Sequence, residues 1–339
     1  MVEQKIEPLE RELEFEEVEE QKKNLFAGTV KWIINNLKFL LIPGYVSEDL
    51  MVRQVEYEKT KSMRKFITRF KSVLTLIGLA LMFLIISFAV FAPWLSPYSR
   101  YVLTSPQYGA WTPPSPGHLL GQGNLGYDVL GRMIWGARTS LTVALPALLI
   151  AVVGGIVVGI AAAYYGKWID SVLMRLVDVM LAFPGLILVL VFIGVFGRHL
   201  ELFILAYGIL GVAGYARIIR GSVLQTKNLP YIDAARVSGA KDSRIMFRHI
   251  FPNVIQPIIV AFTFDIGGII LSLAGLSFLG FADVTLIEWG YDISTARVQF
   301  YTAPWAVLGP GIMIMITVLA FMLVGDGLRD ALDPRMKNL

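Results

Sequence analysis

The sequence predicts an all-α membrane protein with six transmembrane helices, and three observations carry that prediction. Of 339 residues, 55% are apolar and only 17% charged, with a mean hydropathy of +0.63. That lies outside the usual soluble range. Six long apolar segments alternate with polar loops, and about 20 apolar residues carry a helix across the hydrocarbon core. No segment shows the in–out alternation of barrel strands, and in lipid only helices and closed barrels satisfy their own backbone.

Taken in order, residues 1–23 form a charged N-terminal tail with nine glutamates between Glu3 and Glu20, a composition that stays solvated. Residues 24–72 form a juxtamembrane segment. Within it Phe26, Val30, Ile33, Ile34, Leu37 and Leu41 fall at helical spacing, with Lys31, Asn35 and Lys38 on the other face. This reads as an amphipathic helix on the membrane lipid surface, or equally as a helix packed on the protein itself. Nothing in it has the pattern of a cleavable signal peptide.

Residues 73–339 form the transmembrane domain. The first span is Val73–Leu95, and the second Leu141–Ala163, with Gly155 and Gly159 four apart for close helix packing. The third is Val177–Phe196, which carries Pro184, and the fourth Leu202–Ala216, the shortest. The fifth is Val254–Leu279 and the sixth Trp305–Val324. Between the first two lies a long loop, Ser96–Ser140, in which Val129, Leu130, Met133 and Ile134 suggest a short helix lying at the surface. Trp94, Trp135, Trp168 and Trp305 fall near span ends, as interfacial anchoring expects; Trp111 and Trp289 lie further out in loops.

With the N-terminus inside, 25 of the 30 lysines and arginines fall on the inner side. Only Arg100, Arg132, Arg138, Arg198 and Arg297 fall outside. The positive-inside rule places both termini and the loop before the fifth span in the cytoplasm of a multi-pass cell-membrane protein. The net charge of +4 comes from these loops and does not point to nucleic acid. There are no cysteines, hence no disulfide, thiolate metal site or cysteine nucleophile. His118, His199 and His249 lie far apart, so no metal is expected. No Gly-x4-Gly-Lys-Ser/Thr loop occurs, since Gly166-Lys167 runs into Trp168. The chain therefore does not hydrolyse ATP itself.

The loop before the fifth span is the most informative stretch. Asp233–Pro252 reads DAARVSGAKDSRIMFRHIFP, a charged insert between apolar segments. Its acidic first turn suits a helix N-terminus, and Gly239 ends the run. A second helical turn follows with Ile245, Met246, Phe247 and Ile250 as its apolar set, and Pro252 starts the next segment. Two short helices joined at a glycine, polar yet carrying apolar knobs, suit docking into another protein.

Asp233-Ala234-Ala235, Gly239 and His249-Ile250-Phe251-Pro252 together resemble the EAA loop of ABC-importer permeases. The flanking text narrows the likeness: YARIIRGSVLQ at Tyr215–Gln225, RHIFPN at Arg248–Asn253, LSFLGF at Leu276–Phe281, APW at Ala303–Trp305 and GDGLRDALDPR at Gly325–Arg335. Over roughly residues 60–339 the chain resembles the C-type permease subunit of dipeptide/oligopeptide importers. The resemblance implies a type I ABC importer permease fold in which the cytoplasmic loop is a coupling helix. Asp233, Ala234, Ala235, Gly239, Arg244, His249 and Pro252 would then couple to the ATPase. It also implies a second, B-type permease, two ATPase subunits that carry ATP and Mg, and an extracytoplasmic solute-binding protein. This sequence departs from the family at Gln122-Gly123 (usually Thr-Asp), at Tyr127 (usually Arg) and at Leu273 (commonly Glu), so charges are missing from the outer mouth.

Within the spans, Asp265 has two readings: a pore-lining carboxylate in the substrate path, or one paired within a permease heterodimer or set in a watery vestibule, the second being favoured. Asp178 reads as structural, paired with Arg175 or a loop base. Surface ion pairing accounts for Asp326, Arg329 and Asp330. A membrane enzyme or scaffold is the different-class alternative, but no cluster of acid, base or metal-ligating residues shares one membrane depth. A secondary transporter would need repeated halves with broken helices, and no internal repeat is found. The solute would be a di- or oligopeptide, with oligosaccharides or another small solute as the alternative.

Overall fold

Helices α1 (Val73–Leu95), α2 (Arg100–Thr104), α3 (Val129–Tyr165), α4 (Lys167–Leu181), α5 (Gly185–Phe196), α6 (Leu200–Thr226) and α7 (Pro230–Val237) make up the first part of the chain. A long α8 (Asp242–Phe281), α9 (Trp289–Ala296) and α10 (Trp305–Leu332) complete it. The computed structural model describes residues 70–281, 283 and 285–332. The acidic tail, the Phe26–Leu41 amphipathic segment and the end of the GDGLRDALDPR stretch lie outside the described residues.

Five of these helices are long and apolar enough to cross a membrane: α1, α3, α6, α8 and α10. A sixth candidate is α4 and α5 taken together, apolar enough as a pair but bent by 80° at the break between them, the geometry of a broken span or a re-entrant loop. The expected third span is thus not one straight helix. Pro184 stands as the cap before α5; it has no N–H to donate, and it disfavours helical backbone in the residue before it.

The first span has the limits read from its hydropathy, but four others are longer. The second starts at Val129, where the Asp128 carboxylate accepts the Gly131 N–H at 2.7 Å. No breaker intervenes before Leu141, so the short surface helix expected at Val129–Ile134 is the first two turns of α3. At 37 residues α3 is about 55 Å long, well beyond the ~30 Å core. The fourth span runs on to Thr226, the fifth starts at Asp242 and the sixth reaches Leu332. In each case charged residues ride on helix that hydropathy alone had cut off.

The core is a seam between α3 and α6. A Cβ added to Gly155 would lie 2.3 Å from Tyr215 Cβ, and one on Gly159 would lie 2.7 Å from the Ala216 carbonyl oxygen. Glycine lets the two backbones approach to this distance, as the paired spacing had suggested. Asp178 pairs with Arg217, not Arg175, at 2.5 Å. Arg217 belongs to α6 rather than to a loop. Among the described residues Arg329 makes no ion pair with Asp326 or Asp330.

At the end of the bundle that carries Asp128, the loop folds on itself. Asp128 also meets His118 Nδ1 at 2.9 Å. Gln122 is buried. Its amide donates to the Tyr108 and Gly126 carbonyls at 3.1 and 2.7 Å, and Thr112 donates to its carbonyl oxygen. Tyr127 lies under the Arg132 guanidinium, 4.7 Å from the ring centroid. Two of the three departures from the expected family pattern, at Gln122 and Tyr127, are therefore consumed in loop packing, and the third, Leu273, is buried in α8. Trp289, expected out in a loop, is 0% exposed and donates to the Met133 carbonyl at 3.1 Å. It fits because position 136 is glycine, whose Cβ would lie 2.2 Å from the indole nitrogen.

Glu288 caps α9 and accepts the Tyr291 N–H at 2.9 Å. Burial pushes its carboxyl above the usual range, against the pull of the Gly290 and Tyr291 N–H groups and the Ser277 hydroxyl. A carboxyl whose folded pKa is raised binds its proton more tightly folded than unfolded. Its contribution to stability is full below the unfolded pKa and is lost as pH rises. Glu288→Gln keeps an acceptor for the cap and removes the proton. Between about pH 5 and about pH 9 the thermal midpoint of the variant should fall less than that of the parent. Equal slopes in detergent-solubilised protein would refute this.

Candidate functional site

Opposite the Asp128 end, α7 and the start of α8 form a helical hairpin. Pro230 opens α7 in its first turn, where a missing N–H costs nothing. Gly239 closes it in the left-handed region, with φ +76°. The Gly239 N–H donates to the Arg236 carbonyl at 2.9 Å and the Ala240 N–H to the Ala235 carbonyl at 3.1 Å, the paired bonds of a Schellman cap. A Cβ at Gly239 would meet nothing within 4 Å. The glycine is therefore required by backbone angle and not by room within this chain.

The hairpin has two faces. Ile232, Ile245 and Ile250 are 0% exposed and anchor it to the bundle, with Ala235 and Met246 packed beside them. Val237 at 90% and Phe247 at 63% exposed point the other way. Asp233 pairs with Arg236 at 3.2 Å, Ala234 and Arg244 are exposed, and His249 is half-buried. The expected apolar set is thus split: Ile245 and Ile250 belong to the core, and Phe247 to the free surface. The second short helix is also corrected. It is the beginning of α8, which passes through Pro252 without a break. A wider π-helical turn at Ile245–Ile250 directly precedes that proline, where the ring would otherwise strike the carbonyl four residues back.

Hydrogen bonds that the sequence did not announce tie the hairpin to the α3–α4 turn. The Tyr164 hydroxyl donates to Asp242 Oδ1 at 2.6 Å, with the Arg236 guanidinium 6.0 Å from the centre of the Tyr164 ring. Lys227 Nζ donates to the Ala163 carbonyl at 2.6 Å, a cation at a helix C-terminus. Arg220 grips Asp170 through Nε at 2.6 Å and Nη2 at 2.7 Å, the bidentate geometry that makes such pairs strong. Tyr164 and Asp242 are 78 positions apart, and no local pattern couples them.

Asp265, also singled out, lies elsewhere. It sits midway along α8, away from the hairpin, and accepts the Tyr215 hydroxyl on Oδ2 at 2.6 Å. Tyr215 is 3% exposed, whereas the carboxylate side of Asp265 is exposed in this chain.

Five apolar helices long enough to cross a membrane, a sixth candidate in the bent α4–α5 pair, and a basic helical hairpin tied to the last turn of α3 define a polytopic membrane protein. The chain belongs to the binding-protein-dependent transport system inner membrane components, whose family model matches residues 155–338. A second model, the N-terminal TM domain of oligopeptide transport permease C, matches residues 63–114. A dipeptide transport system permease protein of Alkalihalophilus pseudofirmus is 40% identical over 79% of this chain and 88% of its own length. A glutathione transport system permease protein of Pectobacterium atrosepticum is 41% identical over 66% of this chain and 75% of its own. A di/tripeptide transport system permease protein of Pseudomonas aeruginosa is 38% identical over 77% and 88%.

If the Tyr164–Asp242 bond fixes the hairpin, Tyr164→Phe should loosen it while leaving the ring in place. A loss of about 1 kcal/mol corresponds to roughly fivefold faster hydrogen exchange of hairpin amides. Mass-spectrometric exchange on residues 237–244 reads this directly, and unchanged rates would remove the bond from the account.

Proposed function

We propose that this chain forms one half of the translocation path of an ATP-driven importer of di- and oligopeptides. A second permease would form the other half. Two ATPase subunits would carry ATP and Mg, and an extracytoplasmic binding protein would deliver the solute. The observation that carries this reading is the two-faced hairpin. Its inner isoleucines bind it to the spans, and its outer face offers Val237 and Phe247 among Arg244, Arg248 and Lys241. Closure of the ATPases would push the hairpin as a rigid body, and the push would reach α3 and α8 to give alternating access. Peptides as solutes are supported by the dipeptide and di/tripeptide permeases among the relatives, and the glutathione permease keeps a γ-linked tripeptide among the candidates.

Gly239→Val tests the coupling role. The variant should insert normally, because position 239 lies beyond the spans and has room for a side chain. It forces a branched residue into φ +76°, a backbone that only glycine adopts cheaply. In proteoliposomes holding the whole importer, uptake should fall about tenfold, a barrier change of about 1.4 kcal/mol. The ATPase should also stop responding to solute-loaded binding protein. Ala234→Asp, on the exposed face, should act alike, whereas Lys241→Ala should change little. Normal solute-stimulated ATPase in both Gly239→Val and Ala234→Asp would sink the coupling assignment.

Orientation is tested separately. The chain has no native cysteine, so Ser115→Cys and Ser243→Cys, both at exposed positions, report cleanly to an impermeant thiol reagent. Ser115→Cys should label in intact cells and Ser243→Cys only after permeabilisation. The reverse pattern would invert the topology.

A further inference from the structure

Asp265 is a carboxylate on the exposed side of a membrane-spanning helix, and its surroundings say what it faces. Tyr215 holds Oδ2 from behind, while Oδ1 receives no hydrogen bond among the described residues. One and two turns further along α8, on the same side, come Gly268 and Ser272, and then Gly275. A Cβ at either glycine would meet nothing within 4 Å. The Ser272 hydroxyl donates to the Gly268 carbonyl at 2.8 Å and lies 3.1 Å from the Tyr207 hydroxyl of α6. This strip is therefore polar and open, edged by two tyrosines. Exposed positions on α3 differ: Val157 at 63% and Leu149 at 54% exposed are aliphatic.

A lone carboxylate at mid-membrane is too costly to face hydrocarbon, so the strip faces water or protein. No cation answers the carboxyl among the described residues. The nearest arginines along α6, Arg217 and Arg220, are already committed to Asp178 and Asp170, and α8 carries no cation between Asn253 and Phe281. The contact Asp265 does have is a neutral phenol. It orients the group and supplies no counter-charge.

We propose that Asp265 is the ammonium-binding subsite of the solute path, taking the protonated α-amino group of a passing peptide on Oδ1, with Tyr215 as its positioning residue. Charge-assisted N–H···O bonds of this kind are short and directional. The open strip from Gly268 to Gly275 leaves room for an extended peptide backbone beside them. The inference rests on the peptide-permease reading and adds to it the part of the solute that this chain recognises.

The test uses the complete importer in proteoliposomes with its binding protein and a dipeptide bearing a free amino terminus. Asp265→Asn should lower uptake at least tenfold while solute-loaded binding protein still stimulates the ATPase, which shows that the complex is assembled. Asp265→Glu should recover part of the uptake, and Tyr215→Phe should lie between parent and Asp265→Asn. A second measurement does not depend on the behaviour of the Asn variant. Asp265→Cys should react with a positively charged, water-soluble methanethiosulfonate, and the dipeptide should slow that reaction. Parental uptake in Asp265→Asn overturns the proposal and leaves the peptide reading intact. A thiol at 265 that never reacts does the same, and indicates that a cation of the second permease covers the site. A parent complex that imports no free-amine peptide overturns both.

Discussion

The close approach of α3 and α6 is the constraint on which the other features depend. Lipid offers helices little hydrophobic reason to associate, so close backbone packing must hold them, and Gly155 and Gly159 permit it against Tyr215 and Ala216. Once the two helices are in register, α6 delivers Tyr215 to Asp265 on one side. Past the seam, it brings Arg220 and Lys227 to the α3–α4 turn. Asp265 and the hairpin are thereby both referred to one closely packed pair of helices. A side chain at Gly155 would displace both at once, although neither residue touches it.

Charge is handled in opposite ways along the same bundle. Near the Asp128 end, Arg132 is buried and clasps Asp292 through Nε at 2.8 and 2.9 Å while Nη1 donates to the Leu103 carbonyl at 2.8 Å. Three segments distant in sequence are joined by one side chain, a geometry in which removing either partner strands a buried charge. At the hairpin end the pairs are half-exposed, as with Arg220–Asp170, or open, as with Arg217–Asp178. Exposed pairs contribute little to stability and part easily when a helix moves. The Asp128 end has the buried pair, and the hairpin end has one half-buried bidentate pair and one open pair.

Much of this was legible in the sequence, and what was missed has a common cause. Hydropathy located every span, and the glycine spacing in the second located its packing face. The acidic turn and Gly239 located the hairpin. Hydropathy could not find the ends of α3, α6, α8 and α10, because a helix leaving the membrane keeps its hydrogen bonds while its side chains turn polar. Pro184 was visible, but whether a proline kinks a helix or breaks it depends on what packs beside it. Trp289 was read as a loop residue because its burial depends on the absent side chain at Gly136. The Tyr164–Asp242 bond left no trace, since only tertiary folding sets those residues together.

The same reasoning explains why the docking element is built as it is. A loop joined to the spans by flexible chain would absorb any push before it reached them. Here the inner face of the hairpin is buried apolar surface, its far arm is continuous with a spanning helix and tied to α3 by Tyr164, and Lys227, at the end of α6 just before the near arm, holds that end to α3. A displacement of Val237 and Phe247 must therefore travel in α3 and α8 together. Helix α6 packs against both, and its Tyr215 orients Asp265. A movement that separates α6 from α8 by even an ångström lengthens a 2.6 Å hydrogen bond past the range in which it is strong. The carboxylate is then no longer held in one orientation. On the proposed reading of Asp265 as a solute-binding group, opening of the path and release of the solute would follow from one displacement, with no separate signal required.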